Sequence, residues 1–195
     1  MTDNKNDSLK LIEVDEALKP HVQYIATGIN DDLRKQLITK SKEDHVLANT
    51  PADASERFGD DAMLDKWLEK GRIVHWLIGP GGDLAGIIWY GKSTPPNDLP
   101  IDKGIDITFA IRIYNGYFGK GLAKPFMRQS LKILEDFEES KGRKLLGLWL
   151  KTTIANEAAV AVYTKFGYQE IHRDTTTTYM VLPADKLTTI INSQT

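Results

Sequence analysis

The sequence predicts one α/β domain, a mostly antiparallel mixed sheet flanked by helices, and three observations carry that expectation. The segment "RIVHWLIGPGGDLAGIIWYGK" holds two β-rich runs around Pro80, Gly81, Gly82 and Asp83, the pattern of an antiparallel hairpin. The strand-like "IDITFAIRIY" runs straight into the glycine-rich "YNGYFGKGLAKPF", and a helical pattern follows it. A chain of 195 residues that is 41% hydrophobic buries a proper core and suits one domain better than two.

In chain order, residues 1–8 are polar and read as a frayed start. "LKLIEV" then alternates apolar and polar side chains, as a half-buried strand does. From about residue 20 to 70 the apolar spacing turns to three and four, which predicts a helical insertion. "ANTPADAS" is its internal loop, and Gly71 ends its last helix. After the hairpin, "STPPNDLP" is a loop because its prolines fix φ and remove donors.

Beyond the glycines, Leu122, Phe126, Ser130, Ile133, Leu134 and Phe137 share a helical face. Pro125 requires that helix to begin only a few residues earlier, near Gly119 to Leu122. "LLGLWLKT" is a strand, and "NEAAVAVYTKFG" is a helix with Asn156 at its N-cap and Gly167 just past its end. "YQEIHRDTTTTYMVLP" reads as a strand pair whose threonines are β-branched sheet material. The domain is expected to span residues 9–183, leaving 184–195 as a tail.

Composition narrows the function. Lys plus Arg is 25 and Asp plus Glu is 27, a net charge of −2 that favours neither nucleic acid nor an anionic membrane as partner. With no cysteine, disulfides, thiolate metal sites and cysteine nucleophiles are excluded together. The start lacks a signal-like apolar core and no segment reaches bilayer length, so the expected compartment is cytoplasmic. His21, His45, His75 and His172 have no paired-ligand spacing, and no metal is expected. Trp67, Trp76, Trp89 and Trp149 read as core.

Glycines at a helix start let backbone N–H groups approach a phosphate, aided by the positive end of the helix. A mononucleotide P-loop does not fit, since Tyr114 stands where its first glycine belongs and Gly121 where its hydroxyl belongs. The dinucleotide pattern fails at Lys124. What fits is the GNAT superfamily of N-acetyltransferases. The stretch Phe118-Gly119-Lys120-Gly121-Leu122-Ala123 resembles its acetyl-CoA signature except at the first position, where the family has Arg or Gln. A second family motif is matched in full by Asn156, Ala159, Tyr163, Lys165, Gly167 and Tyr168, and the pair covers about residues 72 to 183.

The resemblance implies that acetyl-CoA is the co-substrate, with its pyrophosphate held by the amides from Phe118 through Lys124. Lys120, Lys124 and Arg128, at i, i+4 and i+8, would add a basic stripe, or else form an ordinary solvated face. Transfer to an amine requires an ammonium to lose a proton, an oxyanion to be stabilised and a thiolate to be protonated. A tyrosine suits the last task, because giving its proton to a thiolate is uphill by only about 2 kcal/mol. The resemblance assigns that role to Tyr163; a core tyrosine is the alternative.

Asn156 either contacts the CoA arm or caps its helix, or both. Lys165 either reaches an outer phosphate or is plain surface. The base is Asp106, or a water chain if the alignment slips to Thr108. The backbone near Ile111 and Ile113 is implied to meet the thioester. The acceptor implied is a primary amine. Phe118 and the open question of the base motivate an alternative, a CoA or acyl-CoA sensor without turnover. The threonine-rich last strand would allow a homodimer by pairing at a sheet edge.

Overall fold

The computed structural model describes residues 9–193; the expected frayed start, 1–8, lies outside them. Its strands are β1 (Lys10–Glu13), β2 (Tyr24–Thr27), β3 (Ile73–Ile78), β4 (Leu84–Lys92), β5 (Ile107–Ile113), β6 (Gly147–Thr153), β7 (Gln169–Arg173) and β8 (Thr177–Pro183). They form one sheet in the order β1-β2-β3-β4-β5-β6-β8-β7. β5 and β6 are parallel, with Thr108 opposite Trp149. The pairs β1–β2, β2–β3, β6–β8 and β7–β8 are antiparallel. The α/β class and the mostly antiparallel sheet agree with the sequence reading.

The helices are α1 (Asp31–Lys40), α2 (Asp44–Asn49), α3 (Asp61–Leu68), α4 (Ala123–Ser140), α5 (Glu157–Phe166) and α6 (Ala184–Asn192). No described helix is long and apolar enough to cross a membrane. The fold resolves into two compact units, residues up to 89 with 111–126, and 90–110 with the chain from 127 onward.

In the first unit, α1 starts where the Asn30 side chain accepts from the Leu33 N–H at 2.8 Å, and it buries Leu33 and Leu37 one turn apart. Asp60 caps α3 in the same way, accepting from Met63, and α3 buries Leu64 and Trp67. Phe58, Trp67 and Trp89 meet edge to face at centroid distances of 4.9, 5.8 and 5.5 Å. Such contacts each add about 1 kcal/mol beyond area burial. Gln36 clamps the hairpin turn, giving its amide N–H to the Gly82 carbonyl and accepting from the Leu84 N–H.

Two expectations for residues 20–70 are corrected. "YIAT" is strand β2 and not helix, because the backbone between β1 and β3 needs its ladder partners and Gly28 then turns the chain. The segment "ANTPADAS" is no plain loop: it holds the end of α2 and the start of a π-helical segment, Asp53–Arg57, closed by Phe58 N–H donating to the Asp53 carbonyl.

The second unit packs Ile105, Trp149 and Val181 as one cluster, and Tyr90, Phe109, Tyr163, Phe166 and Tyr168 as an aromatic array. All four tryptophans of the molecule are buried, as expected. On α4 the buried stripe runs through Phe126, Ser130, Leu134 and Glu138; Phe137, expected inward, is 37% exposed with Lys141 over its ring. An i+4 ridge wins because Glu138 is neutralised by Arg143, its carboxylate bonded at 2.5 and 2.7 Å.

Residues 184–192, expected as a tail, continue as α6 with Leu187 buried. The threonine-bearing β8 lies between β6 and β7, so the outer strand on that side is β7 and the expected edge pairing through β8 is corrected. Its backbone pairs with a strand on each side and its side chains alternate between the two faces of the sheet, a setting that suits β-branched residues.

Candidate functional site

The glycine-rich stretch leaves β5 as a tight turn, with the Tyr117 and Phe118 N–H groups donating to the Tyr114 carbonyl. Gly119 and Gly121 then take φ of +77° and +73°, which side-chain-bearing residues reach only with strain. A Cβ built on either would meet nothing within 4 Å, so the main chain stands clear of the fold. The first intrahelical bond of α4 runs from the Phe126 N–H to the Leu122 carbonyl.

α4 therefore opens at Ala123, a little later than the sequence reading placed it, because two residues of left-handed backbone cannot be helical. Among the described residues, the N–H groups from Gly119 through Lys124 have no backbone acceptor. They are donors without a backbone partner at the positive end of an 18-residue helix. Lys120 precedes the helix and lies over the Tyr117 ring at 5.2 Å, so the expected stripe reduces to Lys124 and Arg128 on α4. Phe118 is 66% exposed.

The α1–α2 segment supports this turn from one side. Glu43 accepts from the Asn115 N–H at 2.9 Å, and the Phe118 ring lies 5.6 Å from that of His45. Behind the turn, Gly79 leaves room for the Tyr117 ring. Ile111 and Ile113 are half-buried on β5, and both of their carbonyls accept from side chains: Arg112 Nη1 at 2.7 Å and His45 Nε2 at 3.1 Å. Tyr114 is fully buried, and burial raises its pKa well above the usual phenol range.

In the second unit, α5 carries Tyr163, Lys165 and, at its cap, Asn156. The Asn156 side chain accepts from the Ala159 N–H at 3.2 Å, so its capping role is real. Tyr163 is 6% exposed, and its ring meets Phe109 and Tyr168 at 6.0 and 5.7 Å. Lys165 is exposed.

Asp106 lies just before β5, with Lys92 Nζ 3.7 Å from its carboxylate and its carbonyl accepting from the Ser93 N–H. It is half-exposed. Tyr168, legible in the sequence only as a motif aromatic, has a buried hydroxyl without a partner among the described residues. Burial and, after it, neighbouring Tyr90 and Tyr163 hold its pKa far above that of a free phenol.

Sequence reasoning passed over one cluster in the first unit. Asp53, 1% exposed, accepts from Arg57 Nη1 at 2.6 Å and from Arg112 Nε and Nη2 at 2.6 and 3.2 Å. Arg112 also lies over the Trp89 ring at 4.9 Å. Its only signals were Arg112 among the isoleucines of β5 and an Asp and Arg four apart inside a segment that read as loop.

The architecture is the fold of the GNAT N-acetyltransferases. Among solved structures, AAC(6')-Ib in complex with ribostamycin and coenzyme A superposes at TM-score 0.65, 16% identical over 97% of this chain and all of that one. Spermidine N-acetyltransferase from Vibrio cholerae, in complex with CoA and spermine, gives 0.60 at 14% identity, covering 94% and 99%. The GNAT domain of S. lividans PAT gives 0.58 at 12%, covering 82% and 89%. No family model and no curated protein matches the chain.

Proposed function

We propose that this protein transfers the acetyl group of acetyl-CoA to a primary amine by direct attack. The observation that carries the reading is the run of amides without a backbone acceptor from Gly119 through Lys124, at the opening of α4 on a GNAT fold. Those donors suit the CoA pyrophosphate, with the helix end supplying favourable potential. Tyr163 is the proton donor to the departing thiolate, and Asn156 contributes to the CoA arm besides its cap. Asp106 is the proposed base, acting directly or through water. Relatives in fold were solved with CoA and with polyamine or aminoglycoside acceptors, which supports an amine here.

The test is thiol release from acetyl-CoA across a panel of amines, comparing wild type with Tyr163→Phe. A phenol acting as general acid contributes about 10²-fold or more, so turnover should fall by that factor while CoA binding holds. Equal turnover in the variant dismisses Tyr163 as the acid. Tight CoA binding with no turnover on any amine favours the sensor, the reading that Phe118 in place of a polar residue suggests.

A further inference from the structure

Phe118 stands immediately before the run of amides without a backbone acceptor, and it is 66% exposed. Single apolar side chains on a surface are ordinary. This one is mounted. Its own N–H donates to the Tyr114 carbonyl at 3.1 Å, which fixes the backbone beneath it. The ring lies beside His45, with centroids 5.6 Å apart and planes at 47°. His45 is fixed in turn: Nε2 donates to the Ile113 carbonyl at 3.1 Å, and Nδ1 lies 3.7 Å from the Glu43 carboxylate. Glu43 is held by the Asn115 N–H at 2.9 Å and has Lys40 Nζ at 3.9 Å. All of these residues belong to the first unit.

An aromatic ring braced on one side and largely open to solvent is a preorganised surface, and a flat partner that covers it spends little on ordering the protein. Gly119 and Gly121 keep the backbone beside it clear, since a Cβ on either would meet nothing within 4 Å. The ring gives an anion neither charge nor an N–H, so it serves an apolar or π-faced group. A ligand whose diphosphate lies on the adjoining amides brings one such group with it, because the base of a nucleotide is a single ribose away from its phosphates. Stacking on a phenyl ring suits a purine face and needs no hydrogen bond.

We propose that Phe118, braced by His45, is a stacking platform for the adenine base of CoA. This rests on the reading that the amides from Gly119 through Lys124 hold the CoA diphosphate, and it requires no turnover. It also gives a use to the departure from the acetyl-CoA signature: a polar side chain is exchanged for a ring that covers the base.

The experiment is calorimetry with CoA on the full chain, comparing wild type with Phe118→Ala and Phe118→Trp. Removing a stacked ring should raise the Kd for CoA roughly tenfold or more, and tryptophan should restore it. Phosphopantetheine keeps a phosphate and the arm but has no base, so competition assays should find its affinity the same in wild type and Phe118→Ala. Equal CoA affinity in those two proteins overturns the proposal. So does an equal loss for phosphopantetheine, which would make the ring a brace for the turn. A lower molecular mass for Phe118→Ala with CoA affinity unchanged would assign the ring to contact between copies, and overturns it as well.

The etheno-adenine analogue of CoA gives a direct signature, because stacking quenches the fluorescence of its base. At saturation, emission should fall on wild type and hold on Phe118→Ala; a quench that survives in the variant refutes the platform. Tm should match in the two proteins, since most of the ring is already in water. The outcomes also separate this inference from acetyl transfer. CoA affinity that depends on Phe118, without thiol release on any amine, upholds the platform and leaves the sensor. Thiol release with CoA affinity indifferent to Phe118 upholds the transferase and removes the platform. Failure of wild type to bind CoA at all refutes both.

Discussion

At the scale of single residues, Gly121 shows how a backbone requirement can stand apart from packing. Its φ of +73° is strained for a residue with a Cβ, yet nothing lies within 4 Å of where that Cβ would be. Substitution should therefore cost conformational energy, about 1–2 kcal/mol for valine, without a clash. Asparagine, which tolerates left-handed backbone, should cost less. Calorimetric titration with acetyl-CoA should find Gly121→Val weakened about tenfold and Gly121→Asn only severalfold. Equal weakening by both would mean that volume, not φ, is what the position controls. Phe118 belongs to the same turn: whatever a polar residue would give an anion there is absent, and the ring packs beside His45 instead.

Among the elements, α5 was almost wholly legible. Asn156 caps it, Gly167 follows it at φ +122°, and Tyr163 and Phe166 are its buried pair. Capping chemistry and a 3.6-residue period are local, and local signals survive in the sequence. The two roles of Asn156 separate experimentally. Asn156→Ala should lose about 1 kcal/mol of stability, whereas Asn156→Ser keeps a capping oxygen and should stay near wild type. If both variants bind CoA less tightly, the amide also serves the cofactor; if neither does, capping is its whole function. β2 was not legible, because four residues of "YIAT" look helical beside α1 and only the neighbouring strands make them a strand. The Asp53–Arg112 pair was hidden for the same reason: its partners lie 59 residues apart.

For the molecule as a whole, acid stability joins two groups, one in each unit. Burial lowers the pKa of His75 from 6.5 to about 4, so between those values the unfolded chain takes up a proton that the fold refuses. Stability therefore falls as pH drops through that window, by about 3 kcal/mol in all. Glu138 acts lower down. The hydrogen bonds from Arg143 depress its pKa below 4.5, so its contribution is complete above that value and disappears as pH falls through the depressed one. Urea titrations should show His75→Gln flattening the decline between pH 6.5 and 4, and Glu138→Gln flattening only the decline below it.

The mixed sheet and its helices could be anticipated from hairpin, glycine and motif signals, while strand order could not, since nothing in a chain marks which strand ends up outermost. That order gives the two rims different protection. β7 carries an irregular register between Glu170 and His172 and charged side chains along its length. On the opposite rim, among the described residues, the four residues of β1 pair along the outer edge of β2. Trimming the chain back to Val14 would bare Tyr24 to Thr27 as a raw template for strand addition, and such a truncate should clump on concentration. Tags and cleavage sites at the amino end are best kept well clear of Lys10.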